Sequence, residues 1–232
     1  MLEGFLLIDK PSGPTSHDMV DAVRHAINIR QVGHSGTLDP FATGLLIIGI
    51  GSATKKLGAL VGLDKEYEAT LRLGATSDTY DRTGRITESG VRCQMSDVPE
   101  VLKKFTGQIQ QIPPMYSAKK VKGKKLYELA RAGIEIERKP VTLTIYSIEL
   151  LHNPSPPPLT LRGGEAQLQL RVHCSSGTYI RALAHDIGQA LGCGAYLEEL
   201  RRTAIGSFRA HDALAGNNLT LQNITENLRA EL

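Results

Sequence analysis

Short apolar runs and alternating stretches of strand length recur along the chain. Residues 45–50 are apolar without interruption, which is typical of a buried strand. Residues 65–74 alternate between apolar and polar side chains, and Tyr67 falls on the apolar side together with Ala69, Leu71 and Leu73. The same reasoning predicts further strands at residues 4–8, 108–112, 141–151 and 167–172.

Helical spacing of apolar residues occurs between these strands. Ser16 is a candidate N-cap for a helix with its buried face at Met19, Val20, Val23, Ala26 and Ile27. Ser96 and Thr220 are candidate N-caps of two more helices, the second with Leu221, Ile224 and Leu228 inward. A short helical piece at 53–61 and a helix that starts near Ile180 complete a mixed α+β chain.

Composition limits the classes to which the chain can belong. Its 232 residues, 41% of them hydrophobic, are enough for a real core. No apolar run reaches membrane-spanning length and no signal-peptide pattern opens the chain, so we expect no membrane partner and a cytoplasmic location. Cys93, Cys174 and Cys193 are odd in number and lack Cys-x-x-Cys spacing, which predicts reduced thiols. The histidines also lack metal-ligand spacing, so no metal site is expected.

Positive charge is concentrated in one segment. Residues 115–140 carry a net charge of +5, whereas the whole chain carries +3. Such a segment fits contact with a polyanion, because phosphate contacts dominate nucleic-acid affinity. A solvated helix face explains the charge equally well.

The loop at residues 32–44 carries the strongest candidate for chemistry. Asp39 precedes Pro40, which restricts the backbone of the residue before it to extended geometry. Three glycines, Gly33, Gly36 and Gly44, allow close approach of a ligand and positive φ. From spacing alone, Asp39 is either a functional carboxylate or the first residue of an Asx-turn.

This loop, Gly33-His34-Ser35-Gly36-Thr37-Leu38-Asp39-Pro40, resembles the catalytic motif of the TruB-type tRNA pseudouridine synthases, with Ser35 replacing the usual residue. Four more motifs of that family follow the family's order and extend the resemblance over nearly the whole chain. They are Lys10-Pro11 with Thr15-Ser16, Lys65-x-Tyr67, Pro113-Pro114-x-Tyr116-Ser117-Ala118, and Ser176-Gly177-Thr178-Tyr179-Ile180-Arg181 followed by Leu200-Arg201-Arg202-Thr203.

The resemblance implies a fold and an activity. The fold is the α+β pseudouridine synthase fold, with a central mixed, mostly antiparallel sheet flanked by helices and a basic thumb-like insertion at about 113–140. The activity is isomerisation of a uridine in the tRNA T-arm, at position 55, to pseudouridine. Since no redox step or hydrolysis occurs, no cofactor is expected. The partner is the T-arm stem-loop of tRNA, and we expect a monomer.

The resemblance also assigns roles to individual residues. Asp39 is the catalytic carboxylate, Tyr67 stacks on the target base, and Arg181 pairs with Asp39. The substrate-binding set comprises His34, Lys10, Tyr179 and three lysines of the insertion, Lys119, Lys120 and Lys122. Without the resemblance, the residues alone predict simpler roles. Lys10 would be a loop lysine, Tyr67 a core tyrosine and His34 a hydrogen-bonding residue.

Arg181 has one feature that the residues indicate directly. It falls in the first turn of the helix that starts near Ile180, where the helix dipole disfavours a cation unless an anion is close. A carboxylate or phosphate partner explains this placement, and a surface arginine paired with some glutamate explains it equally well.

Domain organisation and rival functions follow from what is left. We expect one catalytic domain over residues 1–232, because the 24 residues after Phe208 leave no room for a C-terminal PUA domain of the kind that most bacterial members carry. An alternative is an RNA-binding or RNA-folding protein without essential catalysis. A nucleotide enzyme with a phosphate loop is disfavoured, because neither glycine-rich phosphate motif is present.

Overall fold

A computed structural model describes residues 2–117, 120–121, 123–131, 133–134, 136–152 and 166–231. The described residues form fourteen strands and six α-helices. The strands are β1 Gly4–Lys10, β2 Val32–His34, β3 Thr43–Ile50, β4 Lys65–Leu73, β5 Ala75–Ser77, β6 Ile86–Glu88, β7 Gly107–Gln111, β8 Lys120–Val121, β9 Lys124–Lys125, β10 Val141–His152, β11 Gln167–Cys174, β12 Ala195–Ile205, β13 Phe208–Arg209 and β14 Leu214–Ala215.

The helices are α1 Ser16–Ile27, α2 Leu57–Val61, α3 Val98–Lys104, α4 Leu126–Arg131, α5 Ile180–Ala190 and α6 Leu221–Glu226. Three short 3₁₀ turns add to them, at Gly51–Lys56, Met95–Asp97 and Ala210–Asp212. Among the residues that the structure describes, none of the helices combines the length and the apolar character needed to span a bilayer.

The chain divides into two compact units, one made of Met1–Glu68 with Leu200–Leu232 and the other of Ala69–Glu199. We refer to them as unit 1 and unit 2. Each of the strands β4 and β12 contains residues of both units, so each of the two boundaries in the sequence falls within a strand. The expected single catalytic domain over residues 1–232 stays a prediction.

In unit 1, β1 lies between β14 and β3, and β3 also pairs with β2 and β12. The β1–β3 and β2–β3 pairs are antiparallel, whereas the β1–β14 and β3–β12 pairs are parallel. The register runs from Gly4 opposite Ile50 to Lys10 opposite Gly44. This pairing places the end of β1 beside the start of β3.

Both faces of this sheet are buried, which explains the uninterrupted apolar run. Leu6, Leu46 and Ile48 pack in one cluster with α1 residues and with Ile224 of α6. Side chains that point to the opposite face, including Leu7 and Ile47, pack in a second cluster with Ala53, Leu57, Ile205 and Ala210. A strand that is covered on both sides carries apolar residues at every position instead of at alternate ones.

Helix α1 starts as predicted, but its cap is a different residue. Thr15, not Ser16, is the N-cap: the Thr15 hydroxyl accepts from the Asp18 N–H at 3.0 Å, and the Asp18 carboxylate accepts from the Thr15 N–H at 2.7 Å. This reciprocal pair is a capping box. The Ser16 side chain is instead buried and contacts the Asp39 loop.

The two other predicted caps had opposite outcomes. Thr220 caps α6 through the N–H of Asn223, as predicted, although Leu221 is exposed and only Ile224 is fully buried. Ser96 does not cap α3, because that helix follows directly from a 3₁₀ turn and Asp97 occupies the N-cap position.

In unit 2, the strand order is β4-β11-β10-β7, and the β11–β10 and β10–β7 pairs are antiparallel. Strand β4 buries Ala69, Leu71 and Leu73 in unit 2 and Tyr67 in its unit 1 part, as the alternating pattern predicts. Two small antiparallel pairs, β5–β6 and β8–β9, complete the strands. The predicted α+β class and its mixed, mostly antiparallel pairing are confirmed.

The prediction of three reduced cysteines is wrong for two of them. Cys93 and Cys193 form a disulfide across 100 positions of the chain, with their Cα atoms 5.3 Å apart, whereas Cys174 is free and buried. The Gly74 N–H donates to the Gly194 carbonyl, so the turn after α5 lies against the chain near β5. Only this long-range packing brings the two thiols together, and sequence spacing carries no sign of it.

We therefore predict that protein purified without reductant has one free thiol after denaturation, and that reduction raises the count to three. Closing a loop of about 100 residues restricts the unfolded chain, so reduction is expected to lower the free energy of unfolding by about 4 kcal/mol. Thiol titration and chemical denaturation with and without reductant measure both effects. The Cys93→Ser variant is the control and should show no dependence on reductant. Three free thiols in the untreated protein would contradict the assignment.

Candidate active site

The Asp39 loop, residues 35–42, connects β2 to β3 in unit 1. It leaves the sheet where the Ser35 N–H donates to the carbonyl of Ile47 at 3.0 Å. Within the loop, the Ala42 N–H donates to the carbonyl of Asp39 at 3.1 Å and closes a tight turn. Asp39 itself is half-buried, between the buried Leu38 and the exposed Pro40.

Lys10 ties the end of β1 to this loop. Its ammonium group is fully buried and lies 2.8 Å from the carbonyl oxygens of Pro11 and Pro14 and 3.2 Å from that of Pro40. Burial lowers the pKa of Lys10 to about 8, and the nearby Asp39 carboxylate opposes that shift. The expectation from the residues alone, that Lys10 is a loop lysine, is wrong, because its ammonium group is buried against backbone carbonyls that include one of the Asp39 loop. The substrate-binding role of Lys10 stays a prediction.

Three further contacts hold the loop from the segment before α1. The Ser16 hydroxyl lies 2.8 Å from the N–H and 3.2 Å from the carbonyl of Leu38, and accounts for both groups. The Ser12 hydroxyl donates to the carbonyl of Phe41 at 3.0 Å. The Gly13 N–H donates to the carbonyl of Pro40 at 2.8 Å. Residues 12–16 therefore support the backbone of the Asp39 loop.

Arg202 contacts the start of the loop and the strand that follows it. Its side chain is fully buried, and the guanidinium donates to the carbonyls of Leu45 at 2.7 Å, Gly36 at 3.3 Å and Thr37 at 3.4 Å. Gly44 allows the backbone of Arg202 to lie close to β3, since a Cβ at residue 44 would lie 2.3 Å from the Arg202 carbonyl oxygen. The φ of Gly44 is +104°. Sequence analysis assigned Arg202 no role beyond membership of a motif. The sequence signal that could have revealed this role is an arginine in the middle of a strand. Parallel-paired strands are buried, and a fully buried arginine is rare unless it has partners.

His34 lies at the end of β2, next to the loop. The Gly36 N–H donates to His34 Nδ1 at 3.2 Å, so Nδ1 carries no proton and the neutral ring has its proton on Nε2. Burial lowers the pKa of His34 from 6.5, and the positive charge of Arg202 lowers it further. At neutral pH the ring therefore presents an N–H donor, not a cation.

Tyr67 lies near the start of β4, and its side chain is 8% exposed. Lys65 anchors this end of the strand, because its ammonium group donates to the carbonyls of Val61 and Leu63, each at 2.5 Å. The predicted apolar orientation of Tyr67 is confirmed. Its stacking on a target base stays a prediction.

Arg181 occupies the first turn of α5 in unit 2, and its side chain is buried. The guanidinium lies 3.2 Å from the carboxylate of Asp81 and donates to the carbonyls of Thr79 at 3.1 Å and Tyr116 at 2.7 Å. The expected anion is thus a carboxylate, and both members of the pair are about 5% exposed. A surface arginine paired with a glutamate is excluded by this burial.

Asp81 is held as firmly as its partner. Its second carboxylate oxygen accepts from the hydroxyl of Thr79 at 2.9 Å and from the N–H and hydroxyl of Thr83. These donors compensate the buried carboxylate for the water that it loses on folding. Sequence reasoning assigned no role to Asp81. The pairing of Arg181 with Asp39 and the gathering of residues 39, 67 and 181 around one cleft stay predictions.

The remaining predicted site residues divide into two groups. Tyr179 is the N-cap of α5, where its N–H and carbonyl both bond to the buried side chain of Gln111. Lys119 and Lys122 lie outside the described residues, and of Lys120 only the backbone, in β8, is described. Within the described ranges, no three His, Cys, Asp or Glu side chains are arranged to hold a metal ion.

Solved structures with a similar backbone are about 30% identical in sequence to this chain. A chain of a Cbf5-Nop10-Gar1 complex matches 96% of this chain with a TM-score of 0.70 and 30% identity. A chain of an H/ACA RNP bound to a substrate RNA matches 91% with a TM-score of 0.65 and 30% identity. This chain spans about half the length of these solved chains, 54% and 50% respectively.

Sequence relatives are more similar. The tRNA pseudouridine synthase B of Azoarcus sp. strain BH72 is 50% identical over 92% of this chain and 68% of its own length. That of Chlamydia trachomatis serovar L2 is 46% identical over 94% of this chain and 87% of its own length. These matches place the chain among the pseudouridine synthases, as its motifs and fold predict.

Family models narrow the class. The N-terminal domain model of the TruB family of pseudouridylate synthases matches residues 24–180, and the C-terminal domain model of tRNA pseudouridylate synthase B matches residues 181–231. The chain belongs to the TruB family. The family prediction made from the five motifs is confirmed.

We predict that Arg202→Met lowers the free energy of unfolding by about 3 kcal/mol, because buried carbonyls lose a charged donor. It should also slow pseudouridine formation roughly 10- to 100-fold, since small displacements of a catalytic group are costly. Denaturant unfolding and initial rates measure the two effects. Arg201→Met is the matched control on the same strand: it removes a half-exposed ion pair with Asp9 and should cost no more than about 1 kcal/mol. Unchanged rates in Arg202→Met would contradict the assigned role.

A second prediction concerns the protonation of His34. Because burial lowers its pKa below 6.5, its NMR titration midpoint should lie on the acid side of that value, with the proton on Nε2 above it. The unfolded chain binds this proton at higher pH than the native chain does. His34 therefore contributes to a loss of stability as the pH falls through 6.5. A His34→Asn variant assigns the resonance, and a midpoint at or above 6.5 would refute the prediction.

Proposed function

We propose that this chain converts a uridine in the T-arm of tRNA, at position 55, to pseudouridine, and that Asp39 is the catalytic carboxylate. Family membership supports the reaction class, and relatives that are 46–50% identical carry the name tRNA pseudouridine synthase B. The choice of the T-arm uridine and of Asp39 rests on the motif around residue 39.

One observation carries the proposal: two fully buried cations, Lys10 and Arg202, hold the backbone of the loop with Asp39. Lys10 and Arg202 donate to backbone carbonyls of this loop and of the start of β3. The Ser16 hydroxyl forms hydrogen bonds with both the N–H and the carbonyl of Leu38. A surface turn needs no such support, because water satisfies its carbonyls. A rigid backbone suits a group that has to meet a reacting atom within a fraction of an ångström.

The isomerisation needs few chemical groups. The glycosidic bond breaks, the base turns, and the sugar carbon rejoins the ring at C5, which then loses its proton. These steps require an anionic group near the sugar or C6, a site that excludes water and an acceptor for the C5 proton. A half-buried carboxylate on a rigid loop provides the first, whether it attacks C6, attacks C1′ or removes a sugar proton.

Other residues serve the same step in this proposal. Arg181 favours the ionised form of Asp39 through its positive charge and orients it. The target base has to leave its stack, which costs a few kcal/mol, and Tyr67 offers the flat surface that receives it. His34 fills the space that the base leaves and presents Nε2–H to the RNA.

RNA contact extends beyond the reacting nucleotide. The insertion at about 113–140, with Lys119, Lys120 and Lys122, is proposed to grip the T-arm, which its net positive charge over residues 115–140 supports. Tyr179 is proposed to contact the substrate from the N-terminus of α5. We keep the expectation of a monomeric, cytoplasmic enzyme with one catalytic domain.

The test is Asp39→Asn, which removes the charge and keeps the shape of the side chain. With an unmodified tRNA transcript labelled with tritium at uridine C5, the wild-type enzyme should release label and the variant should release at least 10³-fold less, an order-of-magnitude expectation for a lost catalytic group. Affinity for tRNA should change little. Release of label by Asp39→Asn at the wild-type rate would reject the proposal.

Two controls sharpen the experiment. Asp212→Asn makes the same substitution in an exposed 3₁₀ turn and should retain full activity. A transcript with cytidine in place of the T-arm target uridine should release no label from that site. Tight tRNA binding without release of label by the wild-type protein would favour the alternative, an RNA-binding or RNA-folding protein.

A further inference from the structure

Residues 78–83 of unit 2, called here the Asp81 loop, lie in the connection between β5 and β6. The aromatic ring of Tyr80 in this loop stacks on the imidazole of His185 in α5, with ring centroids 4.1 Å apart and planes inclined by 18°. The next residue, Asp81, forms the buried ion pair with Arg181. Two adjacent loop residues thus contact the same helix.

Both contacts involve the same face of α5. Arg181 and His185 are four residues apart, so they lie on one face of the helix, one turn from each other. A displacement of the loop along the helix would therefore break the stack and the ion pair together. The pair of contacts determines the register of the loop against α5.

Tyr80 adopts a backbone conformation that tyrosine rarely takes. Its φ is +65°, in the left-handed region that disfavours residues with a Cβ. The main chain is held there by its neighbours: the Tyr80 N–H donates to Ser77, and the Tyr80 carbonyl accepts from the Leu197 N–H at 2.9 Å. A glycine or asparagine would adopt this conformation more readily, so the side chain of Tyr80 needs an explanation of its own.

The side chain of His185 also needs an explanation. Its Nδ1 is buried and has no hydrogen-bond partner among the described residues, and burial lowers the pKa of the ring. A buried polar atom without a partner is unfavourable, so packing alone is a poor reason for histidine here. The stack on Tyr80 is the contact that the described structure shows for the ring.

We propose that Tyr80 and His185 are positioning residues: their stack holds Asp81 against α5 and so orients the Arg181 guanidinium for the reaction. This inference rests on the proposed function, in which Arg181 serves Asp39. Neither ring contacts the reacting atoms in this role. Their effect passes through the Asp81–Arg181 pair.

The test compares variants that remove the ring with one that keeps it. Tyr80→Gly removes the ring and leaves the left-handed backbone unstrained, so it is expected to fold; His185→Ala removes the other ring. Both should lower kcat about tenfold, the order of magnitude expected from the strength of aromatic pairs, with KM for tRNA changed less than twofold. Tyr80→Phe retains the stacked ring and should retain kcat.

A matched control exists in the same unit. Tyr146 and His173 form a second tyrosine–histidine pair, with ring centroids 4.8 Å apart, on strands β10 and β11. Tyr146→Ala removes a comparable ring contact outside the Asp81 loop and should leave kcat unchanged. Equal kcat values for Tyr80→Gly and Tyr146→Ala would overturn the inference.

A readout without catalysis separates this inference from the proposed function. NMR of the Arg181 guanidinium should show a changed resonance in Tyr80→Gly and His185→Ala, and the wild-type resonance in Tyr80→Phe and Tyr146→Ala. If the wild-type protein forms no pseudouridine, the proposed function fails, and a changed guanidinium resonance still supports positioning. An unaltered resonance in both ring-removing variants rejects positioning whatever the activity.

Discussion

Donation from buried cations to backbone carbonyls is the interaction on which the candidate site depends. Lys10 and Arg202 are fully buried, and each directs its donors at carbonyl oxygens around the Asp39 loop. A buried cation is tolerated only when hydrogen bonds compensate for the lost water. Each cation therefore needs the loop conformation as much as the loop needs the cation, and together they restrict residues 35–42 to one arrangement.

The sheet of unit 1 supplies the setting for these contacts. Apolar clusters cover both of its faces, so the carbonyls beside β1 and β3 meet little water. Hydrogen bonds in such surroundings are strong when they are made and costly when they are missing. The core of unit 1 therefore contributes to the site by making the position of the loop hard to change, beyond its contribution to stability.

A similar principle acts around Arg181 in unit 2, with a carboxylate added. Asp81 neutralises the cation, and two carbonyls and two threonines complete the hydrogen bonds of the pair. Breaking such a pair by removing one partner typically costs 3–5 kcal/mol. Such firmly held side chains are common where a reaction depends on the orientation of the reacting groups.

Sequence patterns alone determined much of this protein: apolar periodicity predicted β1, β3 and β4 and the inward side of Tyr67, and the motif around Asp39 identified the family. Local patterns work where the cause is local, such as alternation along a strand. The tertiary structure decided which cations support the loop, that Thr15 and not Ser16 caps α1, that Asp81 is the carboxylate beside Arg181, and that Cys93 meets Cys193. Each of those outcomes depends on groups far apart in the chain, or on competition between neighbours for a buried partner, and spacing in a sequence records neither.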